Sequence, residues 1–197
     1  MAVTADDLHA ALDSIETTLR PATDCDWTTP KGTGESDCWR TSEHLGDCLL
    51  CYAAQLVAQP TTRYVRFEAA ADKAASPAEV LEFAVAGGRI LAATVRTAAP
   101  DVRAYHPTGM SDPEGFAGMG CVEVLVHGED IARGLGLHLD PPPDVCARVL
   151  ARMFPHSSAD ISGIDPWTAL LWATDRTDLP GSQRQSGWRW RAAPLDA

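Results

Sequence analysis

Residues 118–136, GMGCVEVLVHGEDIARGLG, form an apolar run that two ionisable side chains interrupt. Glu123 and His127 are four residues apart, so on an α-helix they lie on one face, one turn from each other. Burying such groups without partners costs several kcal/mol. The run therefore predicts a buried helix whose carboxylate and imidazole are compensated by something else in the fold.

Three other segments repeat apolar residues at the spacing of an amphipathic helix. The first opens at Thr4 and stops at Pro21, the second covers about residues 38–59, and the third opens at Ser76 and stops at Pro100. The fourth opens at SDPEG, contains the run above and has glycines as its stop signals. Four long helices of this kind predict an all-α bundle, in which sites form between facing helices.

Beyond LHLDPPPD the segments become shorter. DVCARVLARMF and DPWTALLWATDR predict two short helices, and SGWRWRAAPL predicts an extended end. Four tryptophans supply apolar area for packing on the bundle: Trp167, Trp172, Trp188 and Trp190. We therefore predict a four-helix bundle over residues 1–140 and a smaller Trp-rich α(+β) segment over residues 141–197, docked on it.

The composition excludes several kinds of partner. A formal charge of −11 disfavours nucleic acid. No apolar stretch is long enough to span a membrane, and the acidic, amphipathic N-terminus is unlike a secretory signal. The irregularly spaced cysteines then predict reduced thiols in a cytoplasmic protein, with a pairing of Cys25 and Cys38 left open.

Glu123 and His127 are the centre of the candidate chemistry. His44, on the inward stripe of the second helix, is the best third ligand for a divalent metal. Two histidines and one glutamate leave coordination positions open for water or substrate, and zinc is the commonest match, with iron, nickel and manganese as alternatives. Glu129 and Asp130 can orient the ligands, although a solvated surface role is favoured for Glu129. The competing interpretation is a hydrogen-bonded pair in the core.

Four further residues are candidates for the substrate pocket. Cys48, one turn beyond His44, is a possible ligand or thiol donor, and a small buried side chain is the simpler interpretation. His106 precedes the fourth helix and lines the mouth of the bundle or holds a turn. Phe116 and Met119 are its apolar neighbours. The chain has no GxGxxG, P-loop or GxSxG motif, so dinucleotide binding, phosphoryl transfer and the usual serine hydrolase arrangement lack support.

CWRTSEHLGDCLLCYAAQL and HPTGMSDPEGFAGMGCVEVLVHGEDIARGLG together resemble the DinB/YfiT-like superfamily. The likeness is closest to the N-terminal domain of the mycothiol-dependent maleylpyruvate isomerase family, and the tail resembles the C-terminal part of an actinobacterial branch of that group. This resemblance implies a four-helix bundle with a divalent metal, usually zinc, held by a histidine of the second helix and a Glu-xxx-His of the fourth. Those roles fall on His44, Glu123 and His127.

The resemblance also implies thiol chemistry. A metal lowers the pKa of a bound thiol, here mycothiol or a similar low-molecular-weight thiol, and the thiolate attacks a small electrophilic substrate. The Trp-rich tail departs from the C-terminal domain of the isomerase, which puts maleylpyruvate itself in doubt as the substrate. We expect a metal-dependent thiol transferase or isomerase, as a monomer or homodimer. A non-catalytic protein that binds a small ligand or metal and a metal-dependent hydrolase are the alternatives.

Overall fold

The computed structural model describes residues 1–155, 161 and 163–195. This part of the chain contains six α-helices, one short 3₁₀ turn and no β-strand, which confirms the predicted all-α class. None of the described helices is both long enough and apolar enough to cross a membrane. The helices are α1 (Ala5–Leu19), α2 (Cys38–Ala58), α3 (Pro77–Thr97), α4 (Pro113–Gly134), α5 (Pro143–Met153) and α6 (Pro166–Ala173).

Local capping explains where the long helices begin. Thr4 and Ser76 form capping boxes with Asp7 and Glu79, in which each hydroxyl accepts a backbone N–H and each carboxylate accepts one in return. The Asp112 carboxylate caps α4, which opens with a proline. These starts agree with the sequence, because each cap depends only on residues within one turn.

The four long helices enclose the main core. Helices α1 and α2 each pack on both α3 and α4, and α3 also contacts α4. Helix α4 is the most enclosed, since 17 of its 22 residues are buried. Its glycines permit this, because a Cβ at Gly128 would overlap Ile15 of α1 and one at Gly118 would overlap Met153 of α5.

The C-terminal segment packs on this core through α5, which contacts both α4 and α6. The buried guanidinium of Arg152 on α5 donates to the Asp112 carboxylate at 2.9 Å and to the carbonyl oxygens of Arg191 and Ala192. One buried cation therefore joins the start of α4 to the last described part of the chain.

The predicted extended end, SGWRWRAAPL, forms no strand within its described residues. Its backbone bonds to a helix end instead, because the N–H of Arg191 donates to the carbonyl of Met153 at 2.9 Å. The alternation of tryptophan and arginine is typical of a strand, but a strand forms only beside another strand, and the described residues contain none.

The six cysteines are free thiols, and all of them lie among the described residues. Cys25 is exposed and Cys38 is buried, with its thiol 3.8 Å from the carbonyl oxygen of Ile131. The pairing of Cys25 and Cys38 that the sequence left open is therefore not formed.

Candidate metal centre

Helices α2 and α4 bring four side chains with ligand atoms together. His44 and Cys48 lie one turn apart on α2, and Glu123 and His127 lie one turn apart on α4. One ligand atom from each of His44, Cys48 and Glu123 lies within 4.8 Å of the other two. His127 joins them because its Nε2 lies 2.9 Å from Glu123 Oε2 and its ring centroid lies 5.2 Å from that of His44.

The group extends from solvent to the core. Glu123 and His127 are buried, Cys48 is half-buried and His44 is exposed. The sequence pattern placed His44 on the inward stripe of α2, but Leu45 and Leu49 occupy the core-facing positions and are fully buried. His44 therefore lies at the edge of that stripe, where a small molecule in solvent can reach it.

Glu123 lies at the buried end of the group and is held there as a carboxylate. The Tyr52 hydroxyl donates to its Oε1 at 2.9 Å, and His127 contacts its Oε2. Burial raises the pKa of Glu123, but the hydrogen bonds and positive charge of His127 and the bond from Tyr52 lower it further than burial raises it. Burial and the Glu123 charge raise the pKa of Tyr52, so this hydroxyl stays protonated.

Tyr52 was not among the site residues predicted from the sequence. Its position was readable from the sequence, because His44, Cys48 and Tyr52 follow one another at intervals of four residues along one face of α2. The interval identifies the shared face, whereas the contact with Glu123 depends on how α2 is rotated against α4.

A chain of hydrogen bonds fixes the other side of the His127 ring. The Thr33 hydroxyl donates to Asp130 Oδ2 at 2.6 Å, so it accepts from Nδ1–H of His127, 2.7 Å away. Asp130 is held in turn by Arg176 at 2.9 Å. This arrangement directs Nε2 towards Glu123. In metal-binding histidines, a hydrogen bond to one ring nitrogen orients the other ring nitrogen towards the metal in the same way.

These partners control the protonation of the pair. Burial lowers the pKa of His127, but the nearby carboxylates of Asp130 and Glu123 more than compensate and raise it to about 9. Burial raises the pKa of Asp130, yet the nearby His127 and the hydrogen bonds from Arg176 and Thr33 lower it to about 2. At neutral pH the protein on its own therefore holds an imidazolium between two carboxylates.

Glu129 does not have the solvated surface position favoured from the sequence. It is buried, and its carboxylate accepts from Arg133 Nε at 2.7 Å and from the backbone N–H of Leu139 at 3.0 Å. The partner N–H comes from the connection after α4, which folds back over the helix end. Of the two acidic residues after His127, only Asp130 is connected to the ligand side chains, through the Thr33 hydroxyl that also bonds to His127.

His106 lies beside Tyr52. Its ring centroid is 6.3 Å from that of Tyr52, and its Nδ1 accepts the backbone N–H of Thr108 at 3.1 Å. Burial lowers the pKa of His106 to about 4, so the ring is neutral with its proton on Nε2. Phe116 and Met119 are fully buried, and Phe116 packs on Tyr52 with 5.9 Å between the ring centroids.

A cleft of about 450 Å³ opens on the C-terminal segment, lined in part by Thr108, Phe154, Trp188 and Trp190. The His106 ring lies 5.8 Å from that of Trp190, so it contacts both the wall of this cleft and Tyr52. His106 thus lies between Tyr52 and one wall of this cleft.

Comparison with protein-family models, with curated proteins and with solved structures finds no match to this chain. The functional argument therefore depends on the chemistry of the site. Imidazole nitrogens, a carboxylate oxygen and a thiol sulfur form a donor set that suits zinc.

Proposed function

We propose that the chain is a metal-dependent thiol transferase or isomerase with a DinB-like four-helix bundle. His44, Glu123 and His127 hold the divalent metal, with zinc as the first choice, and a low-molecular-weight thiol of the mycothiol type is the co-substrate. The observation that carries the proposal is the bond from His127 Nδ1 to the Thr33 hydroxyl, which itself donates to Asp130, so that Nε2 is left to face Glu123. The partner on Nδ1 fixes the orientation of the ring, as the partners of metal-binding imidazoles do.

The residues fit a cation at this point. In the protein alone a proton lies between His127 and Glu123, since the pKa of His127 is about 9 and Glu123 is ionised. A divalent cation replaces that proton and satisfies the same carboxylate, so metal binding releases a proton at neutral pH. The exposed ring of His44 completes the set from the solvent side.

Sulfur chemistry is favoured by the space beside His44. The Cys48 Sγ already lies 3.5 Å from His44 Nε2, so this side of the group accommodates a sulfur atom. A bound metal supplies a lowered thiol pKa and hence a thiolate at neutral pH. The chain's own side chains position the ligands, because the Tyr52 hydroxyl donates to Glu123 and the Thr33 hydroxyl accepts from His127. The neutral His106 lies beside the cleft, where a small electrophile fits, and its Nε2–H is a hydrogen-bond donor there.

The test begins with metal content. The purified protein should contain about one divalent metal per chain, and His127→Ala should lose most of it while keeping a helical far-ultraviolet spectrum. His138→Ala is the matched control, because that imidazole is largely exposed. Unchanged metal content in His127→Ala would remove the proposed site.

Turnover assays then separate the functions. Turnover of small electrophiles that requires mycothiol supports the transferase or isomerase. Turnover by water without thiol would overturn it in favour of a hydrolase. A metal-loaded protein that turns over nothing in a broad screen would favour a binding protein.

A further inference from the structure

We propose that Cys48 is a fourth ligand of the metal centre, so that the chain's own thiolate occupies the position that an external thiol needs. This inference rests on the metal centre proposed above. A thiol co-substrate then acts by exchange with Cys48: the incoming thiol gives up its proton, and the displaced Cys48 takes one up.

The distances support this assignment. Ligand atoms around a tetrahedral zinc, with bonds of about 2.0–2.3 Å, are separated by about 3.3–3.8 Å. Cys48 Sγ and His44 Nε2 are 3.5 Å apart and therefore already have that separation. Glu123 and His127 are 2.9 Å apart, as hydrogen-bonded partners are, and must move apart by about half an ångström for a metal to replace the proton. Cys48 is thus at least as well placed as the ligands expected from the sequence.

Charge balance supports it as well. A divalent cation bound only by neutral imidazoles and the Glu123 carboxylate forms a centre with a net charge of +1, and this charge lies next to buried side chains. A Cys48 thiolate neutralises that charge, which favours a weakly solvated centre.

Cys51 provides a matched control on the same helix. Cys51 is half-buried like Cys48, and both are free thiols. Burial raises the pKa of the Cys51 thiol. It lies three residues further along α2, and it does not belong to the group of ligand atoms that includes His44, Cys48 and Glu123.

The experiment loads the full-length protein with cobalt(II) under nitrogen, with a phosphine reductant and no added thiol. We expect about one cobalt per chain and a thiolate-to-cobalt charge-transfer band in the near ultraviolet. Cys48→Ser should abolish the band and weaken zinc binding at least tenfold, whereas Cys51→Ser should change neither. Cobalt that binds without the band, or a band that survives in Cys48→Ser, would overturn the assignment and leave the metal centre standing. A wild-type protein that binds no cobalt would overturn both.

A second measurement serves in case Cys48→Ser does not fold. Iodoacetamide labelling of the wild-type protein, read by peptide mass spectrometry with and without zinc, reports each thiol separately. Zinc should protect Cys48 and leave the labelling of Cys51 unchanged. Equal labelling of Cys48 in both conditions would contradict the proposal.

Discussion

Replacing Thr33 with valine should weaken zinc binding, although Thr33 provides no ligand. The Thr33 hydroxyl joins His127 Nδ1 at 2.7 Å to Asp130 at 2.6 Å, and valine has the same shape without the hydroxyl. The backbone N–H of Thr33, which donates to Thr41, is unaffected. The substitution therefore removes one connection behind the ligand imidazole and little else.

The size of the effect follows from the distance that remains. Asp130 Oδ2 lies 3.6 Å from His127 Nδ1, too far for a good hydrogen bond but near enough to approach in part. Loss of such an orienting partner reduces metal affinity by about 10–100-fold, so partial compensation suggests about 10–30-fold. That range corresponds to about 1.4–2 kcal/mol of binding free energy.

Zinc affinity is measured by competition with a chromophoric chelator at fixed pH and salt. Thr33→Ser keeps the hydroxyl and should bind zinc as the wild type does. Combining Thr33→Val with Asp130→Asn should cost less than the sum of the single changes, because both interrupt one hydrogen-bonded chain. If Thr33→Val leaves zinc affinity unchanged while His127→Ala abolishes it, the orienting role assigned to this chain is wrong.

Three further predictions concern stability. Arg152→Ala should lower the free energy of unfolding in urea by about 3–5 kcal/mol, because it leaves Asp112 and two carbonyl groups without their buried partner; a loss below about 1 kcal/mol would contradict this. Gly134→Ala should cost about 1–3 kcal/mol in the same assay, since its Cβ overlaps the Lys31 carbonyl oxygen, and a wild-type midpoint would count against that contact. In the metal-free protein the pKa of His127 is raised from 6.5 to about 9, so its stabilisation is complete below about pH 6.5 and is lost as the pH rises through about 9. His127→Gln should remove this part of the pH dependence, and identical profiles for both proteins would refute it.

The helices were predictable because their signals are local. The capping boxes at Thr4 and Ser76 and the proline after Asp112 act within one turn, so the starts of α1, α3 and α4 follow from neighbouring letters. The predicted extended end formed no strand within its described residues, for the opposite reason. A strand needs a partner, and alternation within one segment does not say whether a partner is present.

The candidate site was only partly predictable. Spacing of four residues identifies which side chains share a helix face, which is why Glu123 and His127 could be paired, whereas His44 was added from its place in the pattern of the second helix. Thr33 could not be predicted, because it lies in a loop 94 residues from His127 and no periodicity marks it. Glu129 was misassigned because its buried partner is a backbone N–H of the following connection, and backbone groups have no sequence signature.

The line from Arg176 through Asp130 and Thr33 to His127 has a consequence for synthesis. Its members come from three parts of the chain that leave the ribosome at different times, and Arg176 leaves last. A nascent chain that ends between residues 130 and 176 contains every proposed ligand, yet its Asp130 has no guanidinium to hold it in place. If the proposed centre binds metal, metal captured at that stage should exchange faster than metal bound to the full-length chain.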